Sequence, residues 1–108
     1  MPLARFAMLI RGPGYDPAIH RQVLDSGAFA TTVVCMATFE QALPVARELV
    51  DSGIQLIELC GGFSPEQALK ISEHLGGRIP VGVVRYAEDE QRRLAGLFGF
   101  GSPDPGVV

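Results

Sequence analysis

Two helix-start signals, each set directly behind an apolar run, constrain this chain more than any other feature. Thr38-Phe39-Glu40-Gln41 follows Thr31–Ala37, and Ser64-Pro65-Glu66-Gln67 follows Ile54–Cys60. In such a capping box the hydroxyl of the first residue accepts from the amide of the fourth, and the glutamine side chain returns to the first residue's amide. The chain must therefore turn from strand to helix at residues 38 and 64, and a chain that does so twice builds parallel strands joined by crossover helices.

The rest of the chain extends this pattern. Ala4–Ile10 is a nearly continuous apolar run that ends at Arg11-Gly12-Pro13-Gly14-Tyr15, as a buried parallel strand ends at a turn. Asp16-Pro17 offers an N-cap followed by proline at the first helical position, so a short helix is expected from there to Gly27. Thr31–Ala37 is β-branched and reads as the second strand. In the helix after Thr38, Ala42, Leu43, Ala46, Leu49 and Val50 share one face, and Pro44 predicts a bend near its start.

Ser52-Gly53 closes that helix and Ile54–Cys60 follows as the third strand. The helix opened by Ser64 stops at Gly76-Gly77, Pro80–Tyr86 reads as the fourth strand, and Glu88–Phe98 as an amphipathic helix with Glu88, Asp89 and Glu90 at its positive end. The expected fold is α/β: a four-stranded parallel sheet from four βα units, flavodoxin-like or half of a (βα)₈ barrel. Residues 1–98 form one domain in this reading, and the Gly- and Pro-rich residues 99–108 a flexible tail.

In either closure, ligands bind beyond the carboxyl ends of the strands. The residues gathered there are Arg11, Gly12, Gly14 and Tyr15 from the first loop, Thr38 from the second, Cys60, Gly61 and Gly62 from the third, and Arg85 with Tyr86 from the fourth. Glu58 is the one acid in the third strand. Alternation puts it on the face opposite Ile57 and Leu59, among apolar groups, where a carboxylate has to be paired, protonated or wet. Arg11 and Arg85 are its expected partners. Glu58 then reads either as a structural ion-pair member or as a functional group, a general acid/base or a ligand anchor.

Composition excludes several classes of partner. A net charge of −3 with no Lys/Arg cluster argues against nucleic acid and anionic membrane, and no run is long enough to span a bilayer. Cys35 and Cys60 lie in apolar runs without a Cys-x-x-Cys pair, and His20 and His74 lack metal-site spacing. No metal or cofactor is expected, and a reducing cytoplasm is the expected compartment. A hydrophobic content of 47% is high for 108 residues and points to a homo-oligomer.

The stretch Phe39-Glu40-Gln41-Ala42-Leu43-Pro44-Val45-Ala46-Arg47-Glu48-Leu49-Val50, with Gly53-Ile54 and Ile57-Glu58, resembles the opening βαβ of class I KDPG-type aldolases. The resemblance implies a barrel-like unit with Glu58 at the acid/base position. Leu59-Cys60-Gly61-Gly62 replaces the Thr-x-Arg-Thr that follows in that family, and Lys70, the only lysine, falls on a predicted helix, so imine chemistry is not implied. From the Arg-Gly-Pro-Gly-Tyr-Asp-Pro loop to Ile-Glu-Leu-Cys-Gly-Gly, the chain more closely resembles a family of small uncharacterised bacterial α/β proteins. That resemblance carries no activity. The expected function is binding of a small anionic metabolite, with a cofactor-independent isomerase or lyase using Glu58, or a purely structural oligomer subunit, as alternatives.

Overall fold

Parallel strands with capped crossover helices do form, on a five-stranded mixed sheet. The computed structural model describes residues 1–99, so the expected tail lies almost wholly outside the described residues. The elements are β1 (Arg5–Arg11), β2 (Arg21–Asp25), β3 (Ala30–Met36), α1 (Phe39–Asp51), β4 (Leu56–Leu59), α2 (Pro65–His74), β5 (Val81–Val83) and α3 (Glu88–Phe98). The strand order is β2-β3-β1-β4-β5. β2 runs antiparallel to β3, and every other pairing is parallel.

Both capping boxes are present. Thr38 accepts from the Gln41 amide while Gln41 Oε1 accepts from the Thr38 amide, and Ser64 and Gln67 do the same. α1 runs through Pro44, which lies on its exposed side. The buried residues of β1, β3 and β4 are Ala7, Leu9, Val34, Met36, Ile57 and Leu59, and they pack with Ala42, Val45, Ala46 and Leu49 of α1 and Ala68 and Ile71 of α2. Both helices therefore cover the same face of the sheet.

The segment after Asp16 corrects the sequence reading. One turn forms there, with the Ile19 and His20 amides donating to the Asp16 carbonyl and the Ala18 amide to Asp16 Oδ1. The chain then straightens into β2 instead of continuing as a helix. Ile19 and Val23, which such a helix would have carried on one face, are 70% and 58% exposed. Pairing with β3 satisfies the backbone instead, and the Asp25-Ser26-Gly27 turn closes the hairpin, with the Ser26 amide donating to the Phe29 carbonyl and Gly27 at φ +89°.

This exchange of helix for strand decides the architecture. Taken alone, the parallel strands have the order β3-β1-β4-β5, which is the flavodoxin-like order and not the sequential order of a half barrel. In that topology a right-handed crossover from β1 to β3 would place a helix on the face opposite α1 and α2. Here β2 takes up the connection at the sheet edge, and the second face receives no helix from it.

Candidate functional site

The chain leaves β1 toward β3 and leaves β4 toward β5, so the loops diverge between β1 and β4, at the carboxyl ends of the strands. Crevices of open α/β sheets form at such switch points. Here the last residue of β1, Arg11, is tied to the loop after β4. Its amide donates to Cys60 Sγ at 3.3 Å, and its Nη1 donates to the Gly62 carbonyl at 3.3 Å. The Gly62 amide also donates to Cys60 Sγ, at 3.4 Å. Arg11, Cys60 and Gly62 thus form one hydrogen-bonded unit.

Two tyrosine rings flank this unit. A Cβ on Gly12 would stand 3.0 Å from the Tyr15 ring, and a Cβ on Gly61 would stand 3.4 Å from the Tyr86 ring. The glycine at residue 12 is thus the one that lets an aromatic ring close onto the backbone, a packing role rather than a flexible one. Gly14 takes the left-handed conformation of the turn at φ +85°. Tyr15 meets His20 edge-on, with ring centroids 5.3 Å apart.

Thr38 and Glu58 depart from the expected constellation. The Thr38 hydroxyl is occupied by its own helix cap. Glu58 stands away from the edge, opposite Met8 of β1 and Gly82 of β5, on the sheet face that carries no helix. It is exposed, and it forms no ion pair among the described residues. The expected pair with Arg11 or Arg85 does not form: Arg11 serves the Gly62 carbonyl, and Arg85 is exposed beyond β5. A carboxylate in water needs no counter-ion, because hydration replaces it.

His20, Gln22 and Cys35 were not legible as site residues. They line a cavity of about 320 Å³ with Ile19, Arg21 and Val33. The volume is at the lower end of the ~300–1,000 Å³ common for small-molecule pockets. Reading residues 16–27 as a helix hid this group, since only the β2–β3 pairing brings residue 20 beside residue 35, where the Cys35 amide donates to the His20 carbonyl at 2.9 Å. The His20 imidazole accepts the Asp16 amide at Nδ1, at 2.8 Å, so in the neutral ring the proton resides on Nε2. Arg21 contributes no free charge, because Nε donates to the Pro17 carbonyl and the two Nη atoms to Glu48.

The cysteines are not adjacent-strand neighbours, as β1 lies between them: Ile10 pairs with Cys35, and the Cys60 amide donates to the Leu9 carbonyl. Two strand spacings are about 9.6 Å, beyond the Cα separation a disulfide bridges. Burial, and then the charge of Cys60 across β1, push the Cys35 thiol above its ordinary value. With the folded value raised, this thiol's contribution to stability is complete below the unfolded value and is lost as pH rises through the folded one. Alkylation of Cys35 by iodoacetamide, followed by mass spectrometry against pH, is expected to reach half-maximal rate above the ~8.5 of a free cysteine. A midpoint at or below that value contradicts the burial.

The profile of DUF6506, a family of unknown function, matches residues 4–99. No curated protein matches the chain, and no solved structure does. The aldolase resemblance thus finds no support, and the strand order separates the fold from a barrel half. Among the described residues no helix is long and apolar enough to cross a membrane.

Proposed function

We propose, for a chain that belongs to DUF6506, a family of unknown function, that it binds a small anionic metabolite at the switch point between β1 and β4. One observation carries the reading. The Arg11 guanidinium is half-buried, is held by one hydrogen bond to the Gly62 carbonyl, and has no carboxylate partner among the described residues. A guanidinium has five N–H donors, and a partly desolvated one favours a carboxylate or phosphate in bidentate geometry. Arg85 adds a second cation beyond β5, and Tyr15 and Tyr86 supply aromatic walls. Gly61 is exposed beside the Tyr86 ring, and Cys60 Sγ, accepting from the Gly62 amide, holds the loop that carries the Gly62 carbonyl.

Binding is preferred to catalysis because Glu58 lies on the sheet face rather than at this edge and has no acid–base partner beside it. A thermal-shift screen of carboxylate and phosphate metabolites tests the proposal. At 100 times its Kd a ligand stabilises by about 2.7 kcal/mol, roughly 10–20 °C for a domain of this size. Arg11→Gln is expected to abolish the shift while leaving the unliganded Tm within a few degrees. A hit that survives Arg11→Gln removes Arg11 from the site, and a broad panel with no hit removes the binding reading.

A further inference from the structure

We propose that β2, an edge strand of the sheet, pairs antiparallel with β2 of a second copy of this chain, so that the two sheets join into one. The two edges of the sheet are built differently. β5 closes one side with three residues, Val81–Val83, directly after Pro80. Short strands and proline are common guards of an edge. β2 closes the other side with five residues, Arg21–Asp25, and carries neither proline nor lysine. Its central side chains Val23 and Leu24 are 58% and 60% exposed.

The ladder to β3 fixes which backbone groups of β2 are free. The Cys35 amide donates to the His20 carbonyl, and the Ser26 amide to the Phe29 carbonyl. Gln22 lies opposite Val33 and Leu24 opposite Thr31, so the even-numbered residues of β2 direct their N–H and C=O groups at β3. The N–H and C=O groups of Val23 and Asp25 and the Arg21 carbonyl therefore point out of the sheet, and they find no partner among the described residues. The Arg21 amide is already used, donating to the Ile19 carbonyl.

Register and charge select a second copy as the occupant. An antiparallel pair centred on Val23 sets Val23 against the partner's Val23 and Arg21 against the partner's Asp25. The two valines exchange both of their bonds, and each Asp25 amide donates to the Arg21 carbonyl across the seam. Opposite charges then meet at both ends, the self-complementarity of an isologous contact. Parallel pairing in register would set arginine against arginine and aspartate against aspartate. Both side chains have capacity left. Each Arg21 Nη spends one hydrogen on Glu48, and Asp25 Oδ1 accepts from the Gly27 amide, which leaves Oδ2. A seam this short falls below the ~800 Å² per partner of a standard interface, so the dimer is weak and reversible, held by main-chain bonds as in strand addition.

Sedimentation velocity of the full chain from about 10 µM to about 1 mM tests this, with the average mass expected to rise toward twice the monomer. Amide hydrogen exchange by NMR on the same samples locates the seam. The Val23 and Asp25 amides are expected to exchange roughly fivefold more slowly at the higher concentration, while Gln22 and Leu24, already bonded to β3, change less. Val23→Pro removes the outward amide without touching the β3 ladder, and is expected to weaken dimerisation at least about 10-fold with far-UV circular dichroism unchanged. Asp25→Asn keeps an acceptor for the Gly27 amide, removes the charge and is expected to weaken it roughly two- to fivefold at low salt. A wild-type monomer at about 1 mM, a dimer whose Val23 amide exchanges no more slowly, or a folded Val23→Pro variant that still dimerises overturns the proposal. The exchange readout needs no variant, and ligand binding at Arg11 is read independently by the thermal-shift screen.

Discussion

Leu9→Ala is expected to cost about 2–5 kcal/mol, the largest effect of any single truncation proposed for this chain. Leu9 is fully buried in β1, the middle strand, where it pairs with Val34 on one side and Leu59 on the other. The helix-covered face holds every fully buried large side chain among the described residues: Leu9, Met36, Ile57, Leu59, Ile71 and Val34. A cavity at Leu9 opens at the junction of all three strands, and strands paired on both sides cannot collapse into it. Urea unfolding followed by circular dichroism reads the loss, and the corresponding fall in Tm is roughly 10–30 °C. Leu24→Ala provides the contrast: in the monomeric unit this exposed edge side chain is worth less than about 0.5 kcal/mol. Equal losses at the two positions contradict the one-sided core.

Gly53→Ala is expected to destabilise by about 1–3 kcal/mol, although it adds only one methyl group. Gly53 lies in the short link between α1 and β4 at φ +105°, a conformation that L side chains rarely adopt. Its Cβ would stand 2.7 Å from Arg5 Nη1, the atom that donates to the Ser52 carbonyl. The arginine can swing aside, so the backbone term dominates and Arg5→Ala is not expected to rescue the variant. Thermal unfolding of the single and double variants separates the two causes. A double variant restored to wild-type Tm assigns the cost to the side-chain clash instead.

What the residues reveal unaided is the local part. The Thr38 and Ser64 caps, the bounds of α3 at Glu88 and Phe98, and the inward set Ala42, Ala46 and Leu49 follow from interactions three or four positions apart, which are present in the sequence as spacing. The alternation of Glu58 against Ile57 and Leu59 follows from the strand period of two in the same way. Arg11, Cys60 and Gly62 were also legible as neighbours, because parallel strands end at one edge whatever their order.

Residues 16–27 and the surroundings of Glu58 were not legible, and both failures have the same origin. Asp16-Pro17 is a sound local start signal, and it does form one turn. Whether that turn grows into a helix depends on a surface to pack against, whereas Arg21–Asp25 finds its hydrogen-bond partners in β3, a strand later in the chain. The Glu58 carboxylate lies on the face predicted for it, but whether it is dry or wet depends on a covering layer that no residue near position 58 specifies. By itself, then, the sequence determined where the helices start, which side of each element is apolar and at which edge the loops meet. Only the tertiary structure decided that β2 replaces a crossover helix, because strand pairing and face coverage are contracts between distant segments, and the single bare face of the sheet is the outcome.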